Sequence, residues 1–190
     1  MDTTKTKIKN KKYKILMPNT NSSTIKVQKR DGRLESLDIN KIHFVVEEAC
    51  EGLSGVSSSQ IEMNANIQFY DGMTTKDIQN VLVRSANDLI SLDTPNYQYA
   101  AARLLSYDVR KEAHGQYEYT PLLKLILRNI RSGVYDKAIL EKYTKTEIKK
   151  FNTWIKRERD LKFTYAGLRQ ICDKYLVQDR SSGQIYETPQ

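Results

Sequence analysis

Between Thr74 and Gly115 the chain carries two successive apolar stripes at helical spacing, and this stretch constrains the fold more than any other. Thr74-Thr75-Lys76-Asp77 opens the first as a helix start, with an acid in the opening turn. Ile78, Val81, Leu82, Ser85 and Leu89 follow on one face, and Asp93-Thr94-Pro95 breaks the run. The second helix spans Tyr97 to about Ala113, with Ala101, Leu105, Val109 and Ala113 on one face and Leu104 beside them. Gly115 stops it, with Arg110 and Lys111 near its carboxyl end, where positive charge is favoured. Ala100-Ala101-Ala102 removes the bulk that would hold a neighbouring helix away. Each stripe must be covered by another element, so a bundle is predicted.

The flanking sequence supplies the cover. Asp38 is a good N-cap for a helix whose apolar positions are Ile39, Ile42, Val46, Ala49 and Leu53, closed by Gly52 and Gly55. Ser57-Ser58-Ser59 starts a shorter helix through Ile61 and Met63, and IQFY at 67–70 reads as a strand before the turn at Asp71-Gly72. Ahead of them, VQKRDGRLES reads as a β-hairpin, because Asp-Gly suits a tight turn whose central residues take positive φ. The fold class is therefore mainly α. Residues 25–115 form about four helices capped by a hairpin or three-stranded sheet. Residues 116–190 form a helical segment from TPLLKLILRNIRSG, pieces around Ala138–Tyr143 and Thr146–Ile155, and TYAGLRQICDKYLV. The closing QIYETPQ is strand-like and without a visible partner, which reads as a sign of missing continuation.

A net charge of +8 invites a nucleic-acid reading until the charges are located. Seven lysines lie within residues 1–26 against Asp2 alone, so residues 1–24 read as a disordered basic tail and the remainder as nearly neutral. Nucleic acid is thus not the expected partner. No apolar run reaches membrane-spanning length and no secretory h-region opens the chain, so a cytoplasmic protein is expected. Cys50 and Cys172 form no CxxC, which excludes a zinc ribbon, and Cys50 on an apolar face reads as an inert buried thiol. His43 and His114 have no metal-ligand spacing, and no nucleophile stands with a base.

The charge that does carry information is at the hairpin. Triphosphate binding calls for Lys and Arg together with a helix N-terminus. Lys29 and Arg30 at the turn, Lys41 on the first helix, Thr75 at the start of the third and Lys111 at the end of the fourth can supply them. Glu35 can accept from an adenine amine, with Leu37, Ile42 and Tyr107 as apolar cover for the ring. Neither a Walker A pattern nor GxGxxG is present, and a solvated hairpin with scattered lysines is the plain alternative.

The segments VQKRDGRLESLDINKI, NIQFYDGMTTKDI and SLDTPNYQYAAARLLSYDVRKEAHGQYE resemble the ATP-cone at the amino end of the large subunit of aerobic, class I ribonucleotide reductase. GVYDKAILEKYT, RDLKFTYAGLRQ and KYLVQDRSSGQIYE resemble the helical segment leading into that enzyme's catalytic barrel. The resemblance implies an allosteric ATP/dATP site. Lys29, Arg30, Lys41, Thr75 and Lys111 would hold the triphosphate, with Mg2+ accompanying it, and the segment from Glu35 to Lys41 would handle base and sugar. It also implies control of deoxyribonucleotide synthesis within an oligomer, alongside the remainder of the large subunit and a small radical-bearing subunit. The family's catalytic cysteines lie beyond this stretch, so no catalytic residue is expected in it. Two positions depart from dATP-inhibited members: Gln79 stands where they have histidine, and Asp38 where an amide is common. A ligand-free scaffold and a nucleotide-sensing transcription regulator are the competing readings, the latter opposed by the missing CxxC.

Overall fold

The structure, a computed structural model, describes residues 25–190; the expected basic tail lies outside them. Twelve elements follow in order: β1 (Lys26–Gln28), β2 (Leu34–Ser36), α1 (Ile39–Cys50), α2 (Ser58–Asn66), β3 (Met73–Thr74), α3 (Thr75–Asn87), α4 (Tyr97–His114), α5 (Leu122–Arg131), α6 (Ala138–Lys142), α7 (Lys145–Phe151), a 3₁₀ turn (Arg157–Lys162) and α8 (Tyr165–Lys174). The chain is mainly α, as its periodicity requires.

Helix α4 is the centre, packed against α1, α3 and α8. Its Ala100, Ala101 and Ala102 are wholly buried, so the absence of side-chain bulk lets the neighbours close in. Val46 and Ala49 of α1, Ile61 and Ala65 of α2, and Leu82 and Ala86 of α3 share that core. Polar groups then fix the geometry. The Tyr97 hydroxyl accepts from Ser57 N (3.0 Å) and donates to Gln60 Oε1 (2.6 Å), which pins the start of α2 to the start of α4. Arg103 donates from Nη1 to the carbonyls of Ala49 (3.1 Å) and Glu51 (2.7 Å), serving orphan acceptors where α1 ends.

The sheet has order β2-β1-β3, with β1 antiparallel to β2 and parallel to β3. Only Gly32 of the hairpin turn has positive φ (84°), so the expected two-residue turn is replaced by a longer loop closed by Lys29 N to Arg33 O and Gly32 N to Lys29 O. The expected strand at 67–70 is absent. β3 begins at Met73 instead, because Gly72 N donates to Lys26 O and Lys26 N to Asp71 Oδ1, which brings the residues after the turn beside β1. Ile67 and Tyr70 stay exposed, as does Ile39, which the helical spacing placed on the core face of α1.

The second half is not packed as a separate body. Leu168, Cys172 and Leu176 from and after α8 join the α4-centred core. Helix α7 begins at a capping box of Thr144 and Glu147 and stops at Phe151, short of the expected Ile155. The strand-like end finds a partner after all: Ile185 bridges to Gln178, and Tyr186 N donates to Val177 O. No helix among the described residues is long and apolar enough to cross a membrane.

Candidate functional site

The hairpin loop, the start of α1, the start of α3 and the end of α4 meet around a hollow of about 450 Å³. Each contribution has a local cause. The loop exposes Lys29, Arg30 and Arg33 at its bend. Asp38 caps α1 by accepting from Asn40 N (3.0 Å), which sets Lys41 and Ile42 one turn in. Thr74, rather than Thr75, caps α3 by accepting from Asp77 N (3.0 Å), so Thr75 is left at the hollow's wall beside the positive end of the helix dipole. Gly115, at φ 72°, ends α4 just past Lys111.

Ten of the eleven positions singled out from the sequence line this one hollow: Lys29, Arg30, Glu35, Leu37, Asp38, Lys41, Ile42, Thr75, Gln79 and Lys111. Tyr107 does not line it. That ring is buried, 5.8 Å from Tyr117 and 5.0 Å from the Arg110 guanidinium, because its position on α4 turns it toward the chain that follows the helix. The apolar floor comes instead from Val27, Val45, Ile78 and Leu82 with Leu37 and Ile42. Sequence reasoning had assigned Ile78 and Leu82 wholly to the core, although a stripe broad enough to cross the bundle can also reach a cavity. Arg33 was missed as well; its signal was its place just past the turn.

Charges in the hollow are paired through carboxylates. Glu35 Oε1 lies 2.8 Å from Lys29 Nζ and 3.9 Å from Lys41 Nζ, and Asp38 Oδ2 lies 3.6 Å from Lys41 Nζ. The hydrogen bond from Lys29, with the nearby cations, holds the Glu35 carboxyl below its ordinary range. Arg30 Nη2 contacts Asp108 Oδ1 at 2.6 Å, and Asp108 is only 6% exposed. Burial raises the Asp108 carboxyl in spite of Arg30, while burial and Arg30 together lower the Lys111 ammonium. Gln79 donates from Nε2 to Leu104 O (2.8 Å), tying α3 to α4 beneath the hollow.

A second hollow of about 460 Å³ on the other side of the loop shares Lys29, Arg30 and Thr75 but adds the Glu112 carboxylate and has no aliphatic floor. It suits an anion with a ring less well. No cluster of three His, Cys, Asp or Glu suited to a metal occurs among the described residues. Burial raises both thiols, Cys50 and Cys172, to about 11, which leaves them protonated and unreactive at neutral pH.

Residues 25–112, which hold the hairpin, the helices around it and this five-cation hollow, match the model of the ATP cone domain family. The likeness runs further along the chain. It is 47% identical over 164 residues to ribonucleoside-diphosphate reductase 1 subunit alpha of Escherichia coli, covering 86% of this chain and 22% of that protein. With the alpha subunit of Haemophilus influenzae the identity is 43% over 169 residues, covering 89% and 22%; with that of Enterobacteria phage T4 it is 44% over 168 residues, covering 87% and 22%. The chain spans about a fifth of the length of these relatives.

Proposed function

We propose that this chain is the amino-terminal, allosteric portion of a ribonucleoside-diphosphate reductase large subunit, and that its hollow binds ATP and dATP to set overall activity. The observation that carries this reading is the convergence of Lys29, Arg30, Lys41, Thr75 and Lys111 from four separate elements over an aliphatic floor. The triphosphate lies against these cations and the start of α3, and the base lies on Leu37, Ile42 and Ile78. On arrival its oxygens compete with Glu35 for Lys29 and Lys41, so binding reorganises the loop. Magnesium, where present, rides on the phosphates, since the described residues offer it no three-carboxylate cage.

The chemistry of nucleotide reduction is carried elsewhere in the large subunit, with a small radical-bearing subunit as the further partner. The assembly is a cytoplasmic oligomer serving DNA synthesis. ATP and dATP differ by one hydroxyl, whereas moving a two-state system from mostly one state to mostly the other takes about 5 kcal/mol. The difference is therefore amplified by contacts between subunits.

Calorimetry on the 190-residue chain tests the site. ATP and dATP are expected to give saturable heat, and Lys29→Ala with Thr75→Ala should weaken affinity about 10- to 100-fold through loss of charge-assisted hydrogen bonds, with unchanged helical circular dichroism. No heat at millimolar nucleotide would convert the sensor into a scaffold, and an unaffected double mutant would move the site.

A further inference from the structure

Past the end of α4, α5 and α7 pack against each other and leave beside them a groove of about 630 Å³. Its composition is one-sided. Leu123 and Leu127, one turn apart on α5, supply apolar lining, while Lys124, Arg128 and Arg131 on α5 and Lys149 on α7 supply the charge. No Asp or Glu lines it. None of these four cations forms an ion pair among the described residues. Arg128 is engaged only with neutral acceptors, the Ala113 carbonyl where α4 ends and Asn129 Oδ1.

We propose that this groove docks an acidic amphipathic segment of a separate polypeptide, leucine-like side chains entering between Leu123 and Leu127 and carboxylates meeting Lys124, Arg131 and Lys149. Complementarity decides among occupants. A nucleic acid would want exposed aromatic rings for its bases, and the lining holds none beyond the buried His114 imidazole. A second copy meeting this groove with its own would bring like charge to like. An acidic helix in an apolar groove with a basic rim satisfies both parts of the lining.

The probe is a short fluorescein-labelled peptide with leucines at helical spacing and glutamates between them, titrated with the full 190-residue chain and read by anisotropy. Saturable binding is expected in the micromolar range, weakening with salt and lost in a control peptide with glutamine for glutamate. Lys124→Glu with Arg131→Glu should weaken it at least about tenfold, and Leu127→Ser should do so without changing net charge. Lys124 and Arg131 are exposed and Leu127 is half-buried at the groove, so helical circular dichroism should be unchanged for the charge pair and checked for Leu127→Ser, and ATP should neither compete nor enhance. Absence of binding at millimolar peptide, indifference to these substitutions, or displacement by ATP would overturn the proposal. So would equal or tighter binding of an oligonucleotide that is sensitive to the same substitutions, or concentration-dependent self-association through them. Because ATP binding is read separately, failure here leaves the nucleotide reading standing, and the converse holds.

Discussion

Arg30 and Asp108 show how one residue pair joins the candidate site to the core. Asp108 sits on the buried side of α4, where an isolated carboxylate would be costly, and Arg30 reaches it from the hairpin loop. The two halves of that pair are unequal: the arginine side chain is 40% exposed and the aspartate 9%. Arg30→Ala is expected to cost about 2 kcal/mol, toward the low end for a buried charge left alone, because solvent already screens part of the pair. The pH dependence has a definite sign. Burial already raises the Asp108 carboxyl above its ordinary 3.8, and removing Arg30 raises it further. A group raised in the folded state stabilises it in acid and loses that contribution as pH climbs through its folded value. Chemical denaturation should therefore show a larger loss for Arg30→Ala at pH 7 than near pH 4; an equal loss at both would detach Arg30 from Asp108. The sequence analysis did not single out Asp108; the one signal it offers is an acid just before Val109 of the apolar stripe. That signal marks a buried partner without saying which cation supplies it.

At the scale of elements, helix α4 carries the most consequence. Ala100, Ala101 and Ala102 are fully buried in the core where α4 packs with α1, α3 and α8, so a larger side chain there must displace a neighbour. Ala101→Leu is expected to destabilise by about 3 kcal/mol or more and to lower Tm by several degrees, since close packing leaves no space to absorb it. An unchanged melting temperature would mean that the helices stand further apart than described. The helices were legible because their periodicity, caps and stops agree: Asp38, Ser57 and Thr74 all cap as their residue types require, whereas α7 is capped by Thr144, ahead of the expected start at Thr146. Strands were less legible. The IQFY run has strand-forming residues, yet pairing with β1 falls on Met73 and Thr74, decided by hydrogen bonds between Lys26 and the Asp71-Gly72 turn across 45 positions. Two residues of strand leave almost no local signal.

For the whole molecule, the continuity of the core matters most. Leu168, Cys172 and Leu176 belong to the same core cluster as Val46, Leu82 and Leu104, with α8 packed on α4, so the later helical segment and residues 25–115 share buried surface. Further polar links cross the same boundary: Gln184 donates to the Glu112 carbonyl (3.2 Å), Ile185 N to its carboxylate (3.3 Å), and Tyr117 to Glu48 of α1. The chain should therefore unfold in one cooperative transition, with calorimetric and van't Hoff enthalpies equal. A nucleotide at 100 times its Kd should move that transition as a unit, adding about 2.7 kcal/mol. Two separable transitions, with only one responding to ATP, would show that the shared core does not couple the halves.

The order of the helices, most of their caps and the basic hairpin were determined by the sequence alone, because period, capping chemistry and charge are properties of neighbouring residues; ten of the eleven positions singled out from it line one hollow. Tertiary structure alone decided that Tyr107 packs away from the hollow, that Ile78 and Leu82 form its floor, that β3 starts at Met73, and that Ile185 finds Gln178. Each of these depends on which surfaces meet across long stretches of chain. Local preference does not encode that meeting; burial and hydrogen-bond satisfaction settle it once the helices are assembled.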